Sequence, residues 1–312
     1  MHKYVFKRLL LMIPILLGVS LLVFSIMEFT PGDPVRNILG VEATPEQVEQ
    51  LRHEMGLDRG FFVRYFDYLF KIFTKGDFGT SWRTDHPVWE DIGPRIPISL
   101  KLTTLNIIIA AIVGIPLGVF SAVKQNSLGD NILRVLSTVF IATPTFWFAM
   151  MLILVFALYL GWLPASGATT WKSFIMPVAC TAVVAICRIM RMTRSSMLEC
   201  IREDYVRSAK AKGVPNKVVI YRHALQNALL PVITTMGNTF GVVMGGSAVA
   251  ENVFSLPGLG SLIVLSITAK DTPAVMAIVL FQAFFFAVVM LIVDLIYAMV
   301  DPRIKAKYAK KK

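Results

Sequence analysis

The sequence predicts an all-α integral membrane protein with six transmembrane helices and a helical segment outside the membrane between the first two. Three observations lead there. Apolar residues fill 55% of the 312 positions and charged residues only 16%, whereas a soluble domain carries about 25% charge. The apolar residues gather into six stretches of near-spanning length. The 31 Lys and Arg, against 20 Asp and Glu, then fall mainly on one side of those stretches. A mean hydropathy of +0.65 argues against a soluble enzyme. Placement of the +11 charge at the ends of apolar runs argues against a nucleic-acid binder.

A helix needs about 20 mostly apolar residues to cross about 30 Å of hydrocarbon. Leu9–Met27 is uncharged and interrupted only by Pro14 and Gly18. Lys3, Lys7 and Arg8 precede it and no A-x-A-like site follows, so residues 1–29 read as a tail and a retained anchor. The second span is Leu102–Val123, with Pro116 inside it. The third lies within Val135–Trp171, where Pro144 predicts a kink and Gly161-Trp162-Leu163-Pro164 the exit. Ser173–Cys187 is short, and crosses only if Lys172 and Arg188 snorkel to opposite surfaces. The fifth falls in Ala228–Ala250 and the sixth in Pro273–Val300. Residues 99–300 thus form the core. Segments 1–8, 124–134, 188–227 and 301–312 share one side and hold 20 of the 31 basic residues with five acidic ones. The positive-inside rule places them, the basic tail 301–312 and both termini in the cytoplasm.

The outer segment 30–98 is rich in aromatic residues and carries helix signals. Thr44-Pro45-Glu46-Gln47 has an N-cap, a proline at the first helical position and a capping-box partner. Val48, Leu51 and Met55 share a face, and Gly56 stops the helix. A second amphipathic stretch, Phe61–Phe73, ends at Lys75-Gly76. These helices would cap the spans or dock a partner.

The long inner segment 188–227 stands out against the minimal 124–134, because long loops in compact folds usually carry structure and function. Helix signals run through Met192–Lys212, and Gly213-Val214-Pro215 breaks them. A second amphipathic stretch follows, with Val218, Val219, Tyr221 and Ala224 interleaved by Lys217, Arg222 and His223. A solvated basic loop would satisfy topology alone, but it has no need of a helix–Gly–Pro–helix design. A docking element fits better.

Segment 188–232 resembles the cytoplasmic EAA loop of binding-protein-dependent ABC importer permease subunits, in their dipeptide/oligopeptide/nickel branch. The residues concerned are Arg191-Met192-Thr193-Arg194-Ser195-Ser196-Met197-Leu198-Glu199, Asp204-Tyr205-Val206-Arg207, Ala209-Lys210-Ala211-Lys212-Gly213 and His223-Ala224-Leu225-Gln226-Asn227-Ala228-Leu229-Leu230-Pro231. Gly213, Ala209 and Leu225 fill slots of the general pattern. Arg207, Ser208, His223 and Gln226 depart from it in the manner of the peptide branch. Pro31-Gly32-Asp33-Pro34, Gly76-Asp77-Phe78-Gly79, Phe254-Ser255-Leu256-Pro257-Gly258-Leu259-Gly260 and Asp301-Pro302-Arg303 extend the likeness over nearly the whole chain.

The resemblance implies the type I ABC importer permease fold and a pore-forming subunit for di- or oligopeptides, with nickel or another small solute as the alternative. It also implies a homologous second permease, two cytoplasmic ATPase subunits and an extracytoplasmic solute-binding protein. Asp204, Tyr205, Arg207, Ala209, Ala211, Gly213, Tyr221, Arg222, His223 and Leu225 would form the ATPase-coupling loop. The chain is expected to bind no cofactor, with ATP and Mg used by the partner subunits. It has no G-x-x-x-x-G-K-[ST] loop, so it is expected not to hydrolyse ATP itself. H-E-x-x-H is also missing, and His2, His53, His86 and His223 are scattered, so no metal site is expected. Nothing in the sequence favours a membrane enzyme or receptor.

Four-residue spacing of Gly237, Gly241 and Gly245 predicts a close-packing seam, within the chain or against a second permease. Glu251 is expected to be a solvated residue at a helix end. Asp294 and Glu28 are expected to act as structural anchors. Thr103, Thr104 and Asn106 would line a polar path or bond to neighbouring helices. Cys180, Cys187 and Cys200 read as small hydrophobes.

Overall fold

The computed structural model describes residues 2–40 and 42–300; the basic tail 301–312 lies outside the described residues. Helix α1 (His2–Phe29) tolerates Pro14 within it. α2 (Pro34–Leu39) is capped by Asp33, whose carboxylate accepts the Val35 N–H at 3.1 Å. α3 (Pro45–Glu54) has the expected capping box: Thr44 Oγ1 accepts from Gln47 N and Gln47 Oε1 accepts from Thr44 N. α4 (Phe61–Lys75) ends on Gly76 at φ 64°, a left-handed conformation that glycine adopts without strain. α5 (Val88–Ile92) leads to α6 (Ile96–Val123).

Ser127 caps α7 (Leu128–Ala142), which passes through Thr143-Pro144 to α8 (Thr145–Leu152) and a π-helical turn over Ile153–Tyr159. The two segments meet at 99°. The expected kink is therefore a right-angled break, because Thr143 and Pro144 are both extended and proline disfavours helix in the residue before it. α9 (Ile175–Arg202) is far longer than the short span expected from Ser173–Cys187: the helix runs on through Arg188, Arg191 and Arg194. The uninterrupted helix expected over Met192–Lys212 breaks at Glu203, which is extended (ψ 150°). Asp204 then places negative charge at the N-terminus of α10 (Asp204–Ala211), where the helix dipole favours it.

α11 (Asn216–Val218) continues through a π-helical turn into α12 (Leu225–Gly246). α13 (Ala248–Val253), α14 (Leu259–Thr268) and α15 (Thr272–Val300) complete the described chain. Among the described residues five helical stretches are long and apolar enough to cross a membrane, or six if the bent α7–α8 pair forms one span.

The chain forms two compact units, Met1–Ser99 with Pro257–Ala287, and Leu100–Leu256 with Val288–Lys312. In the first, Phe24 of α1, Tyr65 of α4 and Met276 of α15 form a buried cluster. Tyr65 Oη lies 2.9 Å from Ser20 Oγ, and Arg64 pairs with Glu28, anchoring it as expected. Arg52 reaches Asp33 at 2.8 Å. Asp271 is fully buried and accepts from the Ser81 hydroxyl at 2.5 Å and the Trp82 N–H at 3.1 Å. Lys270 Nζ donates to the Thr30 carbonyl at 2.6 Å. The helices of segment 30–98 are thus fastened to the ends of α1 and α15. α4 turns Phe62, Phe66, Phe70 and Phe73 outward.

In the second unit α9 is central. A Cβ on Gly118 would lie 2.5 Å from Thr193 Cβ and 2.6 Å from the Met190 carbonyl, and one on Gly114 2.9 Å from the Ile186 carbonyl. This α6 glycine pair, four residues apart, lets α6 and α9 touch backbone to side chain. The seam read from α12 is uneven. A Cβ on Gly237 would meet Val293 Cγ2 at 2.9 Å, whereas Gly245 is exposed with open space beside it; Gly241 is half-buried. Tyr297 donates to the Leu230 carbonyl at 2.5 Å and pairs with Thr234. Thr103 is buried, with its hydroxyl 3.7 Å from Met244 Sδ, and Asn106 is fully buried while Thr104 is exposed.

Glu251 is not solvated. It is fully buried and accepts the Ser247 hydroxyl at 2.9 Å, because α13 follows α12 without leaving the packed unit.

Candidate coupling site

Segment 203–227 is built on a small apolar core. Val206 of α10 is 1% exposed and packs with Val119, Ala122, Met197, Val219, Ala224 and Ala228. One buried valine therefore fixes which face of α10 points inward; Ala209 and Val214 border the same cluster. Burying a valine stabilises by about 1.5–3 kcal/mol, enough to hold a two-turn helix in place without making it immobile.

The turn after α10 has two backbone closures: Gly213 N–H donates to the Lys210 carbonyl at 3.0 Å and Val214 N–H to the Ala209 carbonyl at 3.2 Å. Gly213 sits at φ 75°, and a Cβ added there would meet nothing within 4 Å, so conformation and not space requires glycine.

The face away from the core is polar. Asp204, Tyr205, Arg207 and Ala211 are exposed, as are Lys210, Lys212 and Lys217 beside them. Tyr221 and Arg222 project from the following turn, while Ala209, His223 and Leu225 are half-buried. Arg207 approaches Asp204 at 3.7 Å, but both side chains are largely solvated, so this pair holds little. Partial burial raises the Tyr205 phenol above its ordinary value, and a side-chain hydrogen bond with Asn227 opposes the shift. The result is a short helix with an apolar underside and a cationic, aromatic outer face. Such an element can enter a cleft in another protein and carry motion into α9 and α12, to which it is joined at both ends.

A neighbouring cluster escaped the sequence reading. Asp130, fully buried at the start of α7, accepts Arg194 Nε and Nη2 at 2.8 Å each. It also accepts the Asn126 N–H at 2.9 Å and the Ser121 hydroxyl. Two loop-separated elements are thereby tied to α9 just before α10. The one local signal was Ser127 three residues ahead of Asp130, a capping-box spacing.

Residues 114–306 match the model of the binding-protein-dependent transport system inner membrane component. Residues 1–103 match that of the N-terminal region of such membrane components. The chain is 39% identical, over 98% of its length and 100% of the relative's, to the dipeptide transport system permease protein DppB of Alkalihalophilus pseudofirmus. It is 40% identical, with the same coverage, to the glutathione transport system permease protein GsiC of Escherichia coli strain K12. Among solved structures, the inward-facing MetNI methionine ABC transporter superposes with a TM-score of 0.53 at 18% identity, covering 69% of this chain and 94% of that one. An amino acid ABC transporter gives 0.52 at 16% identity, covering 65% and 91%. At these identities the structures speak for the fold, which is that of the type I importer permeases. This multi-pass membrane chain belongs to the binding-protein-dependent transport system inner membrane component family, in its dipeptide/oligopeptide permease branch.

Proposed function

We propose that this chain is one of two permease subunits of an ATP-driven importer that carries di- or oligopeptides delivered by an extracytoplasmic solute-binding protein. The observation that carries this reading is full-length similarity to permeases named for dipeptide and glutathione transport, the latter a tripeptide substrate. The second permease would be a homologue of this chain, and two cytoplasmic ATPases would bind and hydrolyse ATP with Mg. This chain itself would bind no cofactor. Both termini would face the cytoplasm, as the distribution of basic residues supports.

Coupling would run through Asp204–Leu225. Closure of the ATPases would push α10, and its fixed underside would transmit the displacement to the ends of α9 and α12. Arg207, Lys210, Lys212, Lys217 and Arg222 supply positive charge for acidic groups on the ATPase, and Tyr205 and Tyr221 supply contact area. The test is uptake by the complete complex in proteoliposomes, offered dipeptides, tripeptides and Ni²⁺ with the binding protein present. ATP-dependent peptide uptake is expected. Uptake of Ni²⁺ alone would move the assignment to the metal-carrying alternative.

A further inference from the structure

α9 carries three arginines at successive turns, Arg188, Arg191 and Arg194. Among the described residues, only Arg194 of these three has a counter-ion, Asp130. Arg188 and Arg191 are exposed, and neither makes an ion pair among the described residues. With a rise of about 1.5 Å per residue they lie about 20 and 24 Å along α9 from Ile175, so a crossing that begins at Ile175 would hold both within about 30 Å of hydrocarbon. Unpaired cations at such depth occur where they face water or an anion and not lipid.

Both line a groove of about 450 Å³ between α9 and α12. Across it stand Thr235 and Asn238 of α12, with Ser195 one turn below the arginines. Asn238 is exposed about 20 Å along α12 from Leu225. An exposed amide that far from the helix start has no place against acyl chains, so the groove reads as a wet surface reaching toward mid-membrane.

We infer that this groove is the subunit's wall of the solute path and that Arg188 and Arg191 receive the carboxylate of the peptide in transit. The inference rests on the peptide-importer reading. Guanidinium groups match carboxylates in shape and charge, while Ser195, Thr235 and Asn238 offer neutral hydrogen bonds to peptide groups. Placing the cations at the inner end gives the entering carboxylate an attractive station near release. The groove is open on one side, which keeps that station weak enough to leave, as conduction requires.

The test uses the complete reconstituted complex with its binding protein, comparing wild type with R188Q/R191Q and R188K/R191K. Initial uptake of a free-acid dipeptide is expected to fall about tenfold or more in R188Q/R191Q, the scale of losing a charge-assisted hydrogen bond. Stimulation of ATP hydrolysis by loaded binding protein should persist. R188K/R191K should recover much of the uptake, since it keeps the charge. Undiminished uptake in R188Q/R191Q overturns the inference. So does loss of the second permease on purification, which would make the arginines an interface. A defect confined to vesicles containing phosphatidylglycerol and absent in phosphatidylcholine would overturn it in favour of a lipid site. Failure of the wild type to carry any peptide removes the underlying functional reading instead.

Discussion

Arg194 and Asp130 meet through two hydrogen bonds of 2.8 Å, with the carboxylate wholly inside the protein. Through Ser121 and the Asn126 N–H, the same carboxylate holds the end of α6 and the start of α7. Breaking one side of a buried pair leaves an uncompensated charge and costs about 3–5 kcal/mol. Asp130→Ala should therefore lower the thermal midpoint of the purified complex sharply. The double variant D130L/R194L should recover part of that loss. Equal midpoints for wild type and Asp130→Ala would show that the pair does not hold these helices.

The α6–α9 contact makes a second prediction. Gly118→Ala places a methyl group 2.6 Å from the Met190 carbonyl, which belongs to the helix backbone and cannot rotate away. Overpacking of this kind costs about 1–3 kcal/mol. Gly245→Ala, by contrast, meets nothing within 4 Å and should change stability by less than about 0.5 kcal/mol. Thermal unfolding of the two variants in the same detergent checks the difference. A Gly245→Ala loss as large as that at Gly118 would point to a partner covering α12.

How far the sequence told this in advance depends on how local each determinant is. The capping box of α3 and the glycine end of α4 were legible because their partners lie within a few residues. The break at Pro144 was legible as an event but not as a right angle, since proline removes the helix and packing on α9 sets the direction. Glu203 was missed because a Glu-Asp pair signals a helix start only if the chain has already stopped. α14 was hidden because a ten-residue apolar helix is too short for a span and carries no cap. Asp130 and Arg194 are 64 residues apart, and one chain shows no pairing signal at that range. At the proposed coupling site, Gly213 was visible and the inward role of Val206 was not.

Gly213 provides the third prediction. An L-residue in the left-handed region costs about 1–2 kcal/mol, and φ 75° places this position there. Gly213→Ala should reduce ATP-driven uptake through this strain, and Gly213→Asp should abolish it by setting a negative charge among the exposed Lys210, Lys212 and Lys217, while membrane insertion remains intact. Gly213→Asn should retain more, because asparagine tolerates this conformation. The ratio of uptake to ATP hydrolysis separates lost coupling from lost assembly. Normal coupled transport in Gly213→Asp would remove the turn from the mechanism.

The fastening of segment 30–98 can be tested at Asp271, whose side chain accepts from Ser81 Oγ, Trp82 N and, at 3.3 Å, Ala274 N. An asparagine keeps one carbonyl oxygen for the two backbone N–H groups and can donate to the Ser81 hydroxyl from its amide. An alanine keeps none of these bonds and leaves buried donors unsatisfied, at about 1–3 kcal/mol each. Amide hydrogen exchange over residues 80–87 should therefore accelerate strongly in Asp271→Ala and only slightly in Asp271→Asn. Ser81→Ala should fall between wild type and Asp271→Ala, because it removes the bond to Asp271 and the long one from Thr84 N–H at 3.3 Å but spares the two backbone contacts to the carboxylate. Identical exchange in Asp271→Ala and wild type would show that other contacts hold this segment. The expected order would instead place the fastening of segment 30–98 in a single carboxylate at the head of α15.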